Sequence, residues 1–340
     1  LPAPTRHLDF YFACCTLTDK PWKPLSIGAE NAQDALEMAK IVHGQDDEAI
    51  ASDPVFFINT NTNTPLVLDG EIAQAVITYA RAGQPICVTP FALSGAMAPV
   101  TMAGALALQN AETLAACALV QLVRIGCPYI YGSFTSNVDM RTGSPAFGTP
   151  EYTLGAQASG QMARRYGLPW RSSNVNASNA PDAQAAYEAQ MAIWGAISGH
   201  VGLLNQGAGW LEGGLVASYE KLIIDAEMLQ MMAAWMDGLV VDDDALGLNA
   251  VAEVGPGGHF FGAAHTLARY ETAFYTPLLS DWSNFENWTD RGSQDAATRA
   301  NKLWKQLLAD YQQPPLDPAV REQLEAYVAQ RKSEIARAVA

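Results

Sequence analysis

"PICVTP" at residues 85–90 is followed by "PVTMAGALALQNAETLAACALVQLVRIG" at 99–126 and then by "PYIYGS" at 128–133. The two short runs are apolar without alternation, as parallel strands covered on both faces are. The long stretch between them is rich in Ala and Leu and stops at Gly126, which suits a helix closed by a left-handed residue. Strand, helix, strand is the unit of a parallel sheet. The same alternation extends in both directions. "PLSIGA" (24–29) precedes "NAQDALEMAKIVHG" (31–44), and "VFFINT" (55–60) precedes "DGEIAQAVITYARAG" (69–83). Downstream, "PYIYGS" precedes "TPEYTLGAQASGQMARRYG" (149–167) and "LPWRSS" (168–173) precedes "PDAQAAYEAQMAIWGAISG" (181–199). "VGLLNQ" (201–206) then precedes "VASYEKLIIDAEMLQMMAAWMDG" (216–238).

The punctuation agrees. Asn31, Asp69 and Thr149 are expected N-caps, and Pro99, Pro150 and Pro181 suit first turns. Gly44, Gly83, Gly126, Gly167, Gly199 and Gly238 each follow a last helical turn. Strand centres near 57, 88, 130, 171 and 203 are spaced as βα units are, and their regular repetition favours a TIM-type (β/α)8 barrel over an open doubly wound sheet. "FYFACCTL" (10–17) reads as a seventh strand. The eighth is not found: either the first unit lies before Leu1, which the start "LPAP" without Met favours, or the sheet is open. After Gly238 the chain turns helical and loop-rich, with an aromatic knot "DWSNFENW" (281–288) and a charged final helix. The expected organisation is a barrel over 1–240 and a helical extension packed on it over 241–340.

The totals bound the function. A chain of 340 residues, 49% hydrophobic and 16% charged, can bury a large core. A net charge of −15 without a basic stripe argues against nucleic acid as a partner. Cys14, Cys15, Cys87, Cys117 and Cys127 form neither a CxxC pair nor an even framework, so free thiols in a reducing cytoplasm are expected. The apolar run "AACALVQLVRIGCPYIYG" contains Arg124 and Pro128 and reads as a buried helix followed by a strand, not a membrane span.

In such a barrel, function sits at the C-terminal strand ends. Those ends read "NTNTNT" (59–64), "TP" (89–90), "YGSFTSN" (131–137), "RSSNVNASN" (171–179) and "NQGAGWLEGG" (205–214). They supply amides, hydroxyls and aromatics, with Arg171 and Glu212 as the charged exceptions. The glycines around Trp210 lack the spacing and lysine of a phosphate loop. An aromatic face beside a carboxylate, as in Trp210 and Glu212, is how a site holds a methylated or protonated amine. His259 and His265, in "GPGGHFFGAAHTLARYE" (255–271), are six residues apart. On one helix they would point apart and could not clamp a metal together. A zinc site with Glu253, a packing role and a ligand-facing His259 all stay open on the sequence.

Five blocks carry a resemblance: "GAMAPVTMAGALALQNAE" (95–112), "PDAQAAYEAQMA" (181–192), "LLNQGAGWLEGGLVASYEKLIIDAEM" (203–228), "GPGGHFFGAAHTLARYETAFYTPLLSDWSNFENW" (255–288) and "PPLDPAVREQLEAYV" (314–328). Together the chain resembles the trimethylamine methyltransferase family, corrinoid-dependent methyltransferases of methylated amines. The resemblance implies a TIM barrel whose members are longer at the N-terminus. It implies transfer of a methyl group from a methylated amine to the Co(I) of a corrinoid carried by a partner protein docked over the mouth, with no cofactor bound tightly to this chain and no metal ligands. Family members acting on trimethylamine carry pyrrolysine, whereas this chain holds only the twenty ordinary residues. That points to a quaternary substrate such as glycine betaine, whose nitrogen is already a good leaving group, so positioning and desolvation suffice. Phe57, Tyr131, Trp170 and Trp210 are then candidate walls for the methylammonium group. Asn59, Asn61, Ser133, Asn174 and Asn205 would orient the ligand, and Arg171 or His259 would pair with its carboxylate. Glu212 would attract the cation or cap the next helix, and no residue is expected to form a covalent intermediate. The rivals are a metal-dependent barrel lyase or hydrolase using His259 and Glu253, and a non-catalytic binder of betaine-like solutes.

Overall fold

The computed structural model describes residues 1–339. Helices α1 (Arg6–Leu17), α2 (Ala29–His43) and α3 (Asp47–Ser52) come first, and strand β1 (Ile58–Thr60) and helix α4 (Gly70–Arg81) follow. Then come β2 (Ile86–Val88), β3 (Phe91–Ser94), α5 (Met102–Val123), β4 (Tyr129–Gly132), β5 (Phe134–Val138), β6 (Pro145–Ala146), α6 (Pro150–Arg165), β7 (Trp170–Ser173), α7 (Ala183–Ser198) and β8 (Leu203–Asn205). A small antiparallel pair, β9 (Trp210–Leu211) and β10 (Val216–Ala217), precedes α8 (Tyr219–Met236). Five strands form one parallel sheet in the order β1-β2-β4-β7-β8. This is a half-barrel, with helices on its convex side, and not the closed eight-stranded barrel the spacing predicts. A second sheet, β3-β5-β6, continues beyond the C-terminal ends of β2 and β4.

Two expected strands are absent. "FYFACCTL" belongs to α1, because Leu8, Tyr11 and Cys15 fall on one helical face and bury there. "PLSIGA" forms no strand: residues 24–28 are unpaired and run beside β1, where Ser26 Oγ donates to Asn59 O at 3.3 Å and Tyr79 OH to Leu25 O at 2.9 Å, and Ala29 already opens α2. One expected cap and two expected first-turn prolines also shift. Gly28 and not Asn31 precedes α2, Thr101 caps α5 two residues past Pro99, and Asp182 caps α7 after Pro181. Asp69 and Thr149 cap as expected, with Pro150 opening α6. Gly199 has a right-handed φ, and His200 takes the left-handed one (φ 62°). Helices α6 and α7 approach closely at Gly160, where an added Cβ would lie 2.1 Å from Gly199 O.

Ile58, Ile86, Val88 and Tyr129 join α1, α2 and α4 in the main core. Helix α5 is long and apolar enough to cross a membrane by composition. Here it packs on β2, β3 and β4, burying Ala116 and Val120 while Leu122 stays exposed. Beyond α8 follow α9 (Asp243–Leu246), α10 (Leu248–Val254), α11 (Ala264–Leu267), α12 (Phe285–Asp290), α13 (Ala296–Ala309) and α14 (Pro318–Val339). Helix α13 lies along α8, where Glu220 Oε1 accepts from Asn301 Nδ2 at 2.7 Å and Trp304 Nε1 at 2.9 Å. These bonds, from Asn301 first, hold the Glu220 carboxyl down at about 2. Helix α14 turns back to pack on α1 and α2.

Candidate active site

Register decides which side chains face the concave side. Asn59 pairs with Cys87 and Cys87 with Ile130, while Gly132 pairs with Arg171 and Arg171 with Leu203. Directly paired residues share a face and neighbours alternate. The concave side therefore carries Phe57, Asn59 and Asn61, then Cys87 and Thr89, then Arg171 and Ser173, then Leu203 and Asn205.

Tyr131 and Trp170 are a register pair on the opposite, helix-covered face. They pack with Ala156 and Ala163 of α6; Tyr131 OH donates to Asn110 Oδ1 at 3.0 Å and Trp170 Nε1 to Ser133 Oγ at 2.8 Å. These two aromatics and Ser133 are core, which corrects their reading as mouth residues. Asn174 also faces away: its Nδ2 is bound to Gly207 O at 2.9 Å. Glu212 stands exposed on the loop before β10 and does not cap α8, because Ser218 does. His259 is exposed on the extension, with its ring 6.1 Å from that of Phe261, and is not brought to the sheet. His265 instead bonds Asp244 O at 3.3 Å, and among the described residues no three His, Cys, Asp or Glu side chains converge as metal ligands would.

What the structure does gather is a polar floor under an aromatic corner. Thr89 Oγ1 donates to Asn59 Oδ1 at 3.1 Å, and Asn61 Nδ2 donates to Thr89 O at 2.7 Å. Asn205 Nδ2 is buried without a partner. Arg171 is 1% exposed, yet no carboxylate among the described residues lies within ion-pair distance of it. Nη1 donates to Ser133 O at 3.2 Å and Nη2 to Gln206 Oε1 at 3.0 Å, leaving Nε without a partner. Burial pushes its pKa down, although a guanidinium stays charged at neutral pH. Half-buried Lys23 is also unpaired among the described residues, and burial, then the Arg171 charge, pull its pKa below the usual lysine value. An uncompensated buried cation is costly, so this arrangement calls for an anion.

Beside it lies an aromatic cluster of which the sequence reading named only Trp210. The Arg171 guanidinium sits 5.6 Å over the Phe134 ring. Phe91 stacks on Phe134 at 5.1 Å, and Trp210 meets Phe134 at 6.0 Å and Phe147 at 5.2 Å edge to face. Phe134 and Phe147 are buried, whereas Phe91 and Trp210 keep exposed surface. The alternation of Phe91 and Leu93 in "TPFALSG" was the available signal for β3. The "GAMAPVTMAGALALQNAE" stretch works structurally. Glu112 accepts from Thr62 Oγ1, from Thr64 Oγ1 at 2.8 Å and from Leu66 N at 2.7 Å, fixing the loop after β1.

A family model described as trimethylamine methyltransferase (MTTB) matches residues 1–336. The chain belongs to the trimethylamine methyltransferase family. Among members of this family, the glycine betaine methyltransferase of Desulfitobacterium hafniense strain Y51 is 38% identical over 98% of this chain and 70% of its own length. Trimethylamine methyltransferase MttB2 of Methanosarcina mazei is 33% identical over 86% of this chain and 59% of its own. Trimethylamine methyltransferase MttB of Desulfitobacterium hafniense strain DCB-2 is 32% identical over 90% and 62%. The chain thus spans 70% of the first of these methyltransferases and less than two thirds of the other two.

Proposed function

We propose that this chain carries the methyl-donor site of a corrinoid-dependent methyltransferase acting on a betaine, a quaternary methylammonium carboxylate such as glycine betaine. The observation that carries this reading is Arg171, a buried guanidinium with an unpartnered Nε and no carboxylate of its own, set over the buried Phe134 ring that packs against the partly exposed Phe91 and Trp210. A zwitterion answers both features. Its carboxylate would neutralise Arg171, with Lys23 adding to the field, and its methylammonium group would lie against Phe91 and Trp210. The 38% identity to a glycine betaine methyltransferase supports the same substrate class. Trimethylamine, the substrate in the names of the other two relatives, has no anion to offer Arg171.

The chemistry asks little of the chain beyond placement. The carbon–nitrogen bond breaks with its electron pair left on nitrogen, giving a tertiary amine, while Co(I) of a separate corrinoid protein supplies the pair that takes the methyl group. A quaternary nitrogen needs no proton to leave, so no acid, base or covalent nucleophile is required. Arg171 would anchor the far end of the substrate, the aromatic corner would orient the reacting methyl toward the open side of the half-barrel, and the corner would exclude water.

The test is methylation of cob(I)alamin or a corrinoid protein, followed optically, with glycine betaine, carnitine, proline betaine, dimethylsulfoniopropionate and trimethylamine offered separately. Transfer from a betaine is expected. Transfer from trimethylamine alone would reject the carboxylate-bearing class. Trp210→Ala should raise the betaine KM about 10-fold, the effect of roughly 1–2 kcal/mol of cation–π contact, with a smaller change in kcat. An unchanged KM would take Trp210 out of the site.

A further inference from the structure

The aromatic corner and Arg171 depend on a glycine-rich loop whose own strand pairing is limited to the two-residue β9–β10 ladder. Residues 206–214 contain Gly207, Gly209, Gly213 and Gly214, and two non-glycine residues there, Gln206 and Glu212, have positive φ (53° and 50°). Four glycines give the loop high conformational entropy, and the two left-handed side chains add strain. Yet this loop supplies Gln206 Oε1 to Arg171 and to Ser173 Oγ, each at 3.0 Å, and it carries Trp210.

The loop is bound to the one after β7 by Asn174 Nδ2 to Gly207 O (2.9 Å), Asn176 Nδ2 to Trp210 O (2.7 Å), Glu212 N to Ser178 O (2.9 Å) and Gly213 N to Asn176 O (3.2 Å). Behind this pair of loops stand charges that the methyl transfer does not use. Asp225 of α8 accepts from Gly209 N at 2.9 Å through Oδ2, and its Oδ1 is bonded to Lys221 one turn earlier. Both side chains are fully buried. From α7, Glu188 Oε2 accepts from Ala177 N at 2.8 Å and Ser178 N at 3.0 Å, and its charge also acts on Lys221.

Lys221 and Asp225 are poorly placed if stability alone is the aim. Burying two ions costs several kcal/mol each, and apolar residues of the same volume often serve as well or better. A lysine in the first turn of α8 also opposes the helix dipole. What the pair provides is a fixed, directional acceptor for one amide in the middle of a glycine-rich loop.

We propose that the buried Lys221–Asp225 pair is a positioning device: through Gly209 it sets the register of loop 206–213 over the sheet and so places Gln206 and Trp210 around Arg171. This rests on the betaine reading for its kinetic consequence, but not for its structural one. Lys221 and Asp225 touch no substrate and act only through the loop.

The test compares the full chain with Lys221→Met/Asp225→Leu, which replaces the pair by apolar side chains. Hydrogen exchange of the amides in 206–213, thermal melting, and kcat and KM for glycine betaine are measured together. The double variant is expected to melt within about 5 °C of the parent, since the desolvation cost is removed with the attraction. Exchange in 206–213 should rise at least 10-fold while α5 is unaffected, and KM should rise about 10-fold with a smaller fall in kcat. Parental exchange and parental KM in the folded double variant would overturn the proposal. Should that variant fail to fold, Lys221→Met/Asp225→Ala decides on the same readouts: it too removes the acceptor that faces Gly209 N, and an unloosened loop with unchanged KM would equally overturn the proposal. If the parent transfers no methyl group, the substrate reading fails while the exchange comparison still decides the role of the pair.

Discussion

Arg171→Met is expected to raise the KM for a betaine by about 100-fold or more and to leave the melting temperature unchanged or higher. The two effects have one cause. In the folded chain without ligand, the guanidinium is buried with its Nε unpartnered and no carboxylate to neutralise it. That position costs desolvation energy, which a methionine of similar length would not incur. The variant loses the bonds to Ser133 O and Gln206 Oε1, about 1.5 kcal/mol each for a charged donor, which offsets part of that gain. With substrate bound, the balance reverses. A charge-assisted bond to a carboxylate in a dry site contributes about 3 kcal/mol, or two orders of magnitude in affinity. Lys23→Met, at a half-buried position, should raise KM in the same direction by a smaller factor. Steady-state kinetics beside thermal melts check both. Wild-type KM in Arg171→Met would remove the carboxylate anchor, and a large loss of stability would mean that the guanidinium is held for the fold instead.

The alternation of strand and helix was legible because each helix carries its own stop, and the five sheet strands fall where their apolar runs lie. The face of each strand was not legible. Parallel strands buried on both sides show no alternation, so nothing in "PYIYGS" or "LPWRSS" says which way Tyr131 and Trp170 point. Register with neighbouring strands settles it and sends both to the helix side. "FYFACCTL" failed for a different reason. Its aromatic and cysteine content suits a strand, but Leu8, Tyr11 and Cys15 share a helical face, and packing overrode propensity. Arg171 stood out because charges at the strand ends are so few. Lys221 and Asp225 did not, since an i,i+4 pair of opposite charge ordinarily reads as an exposed helix pair. Only burial shows that this one is internal. The second sheet, which brings Phe91 and Phe134 to the site, was hidden in stretches read as strand-end loops.

Asp34→Ala should destabilise the fold by about 3 kcal/mol near neutral pH, and the loss should shrink as the pH is lowered. Asp34 is 2% exposed on α2 and accepts from His7 Nε2 at 2.9 Å, Tyr327 OH at 2.7 Å and Arg331 Nε at 2.7 Å. One carboxylate thus ties α1, α2 and α14 together, across nearly the whole length of the chain. Burial alone would raise its pKa; the bonds from His7, Arg331 and Tyr327 outweigh burial and hold it below the ordinary aspartate value. A group depressed on folding contributes its full stability above the unfolded value, near 4, and loses it as the pH falls through the folded value. The parent should therefore weaken on acidification below about pH 4 more than the variant does, so that their denaturation midpoints converge. Denaturant melts of both proteins between pH 7 and pH 3 make the comparison. A gap that stays constant with pH would mean that Asp34 acts by filling space, not by its charge. Arg331 is partly open to water and can recover some hydration when its partner is lost, which keeps the expected penalty at the lower end for a broken buried pair. Buried His7 has no such recourse, so most of the cost should fall on the packing of α1 against α2, and exchange in α1 should rise before exchange in the sheet.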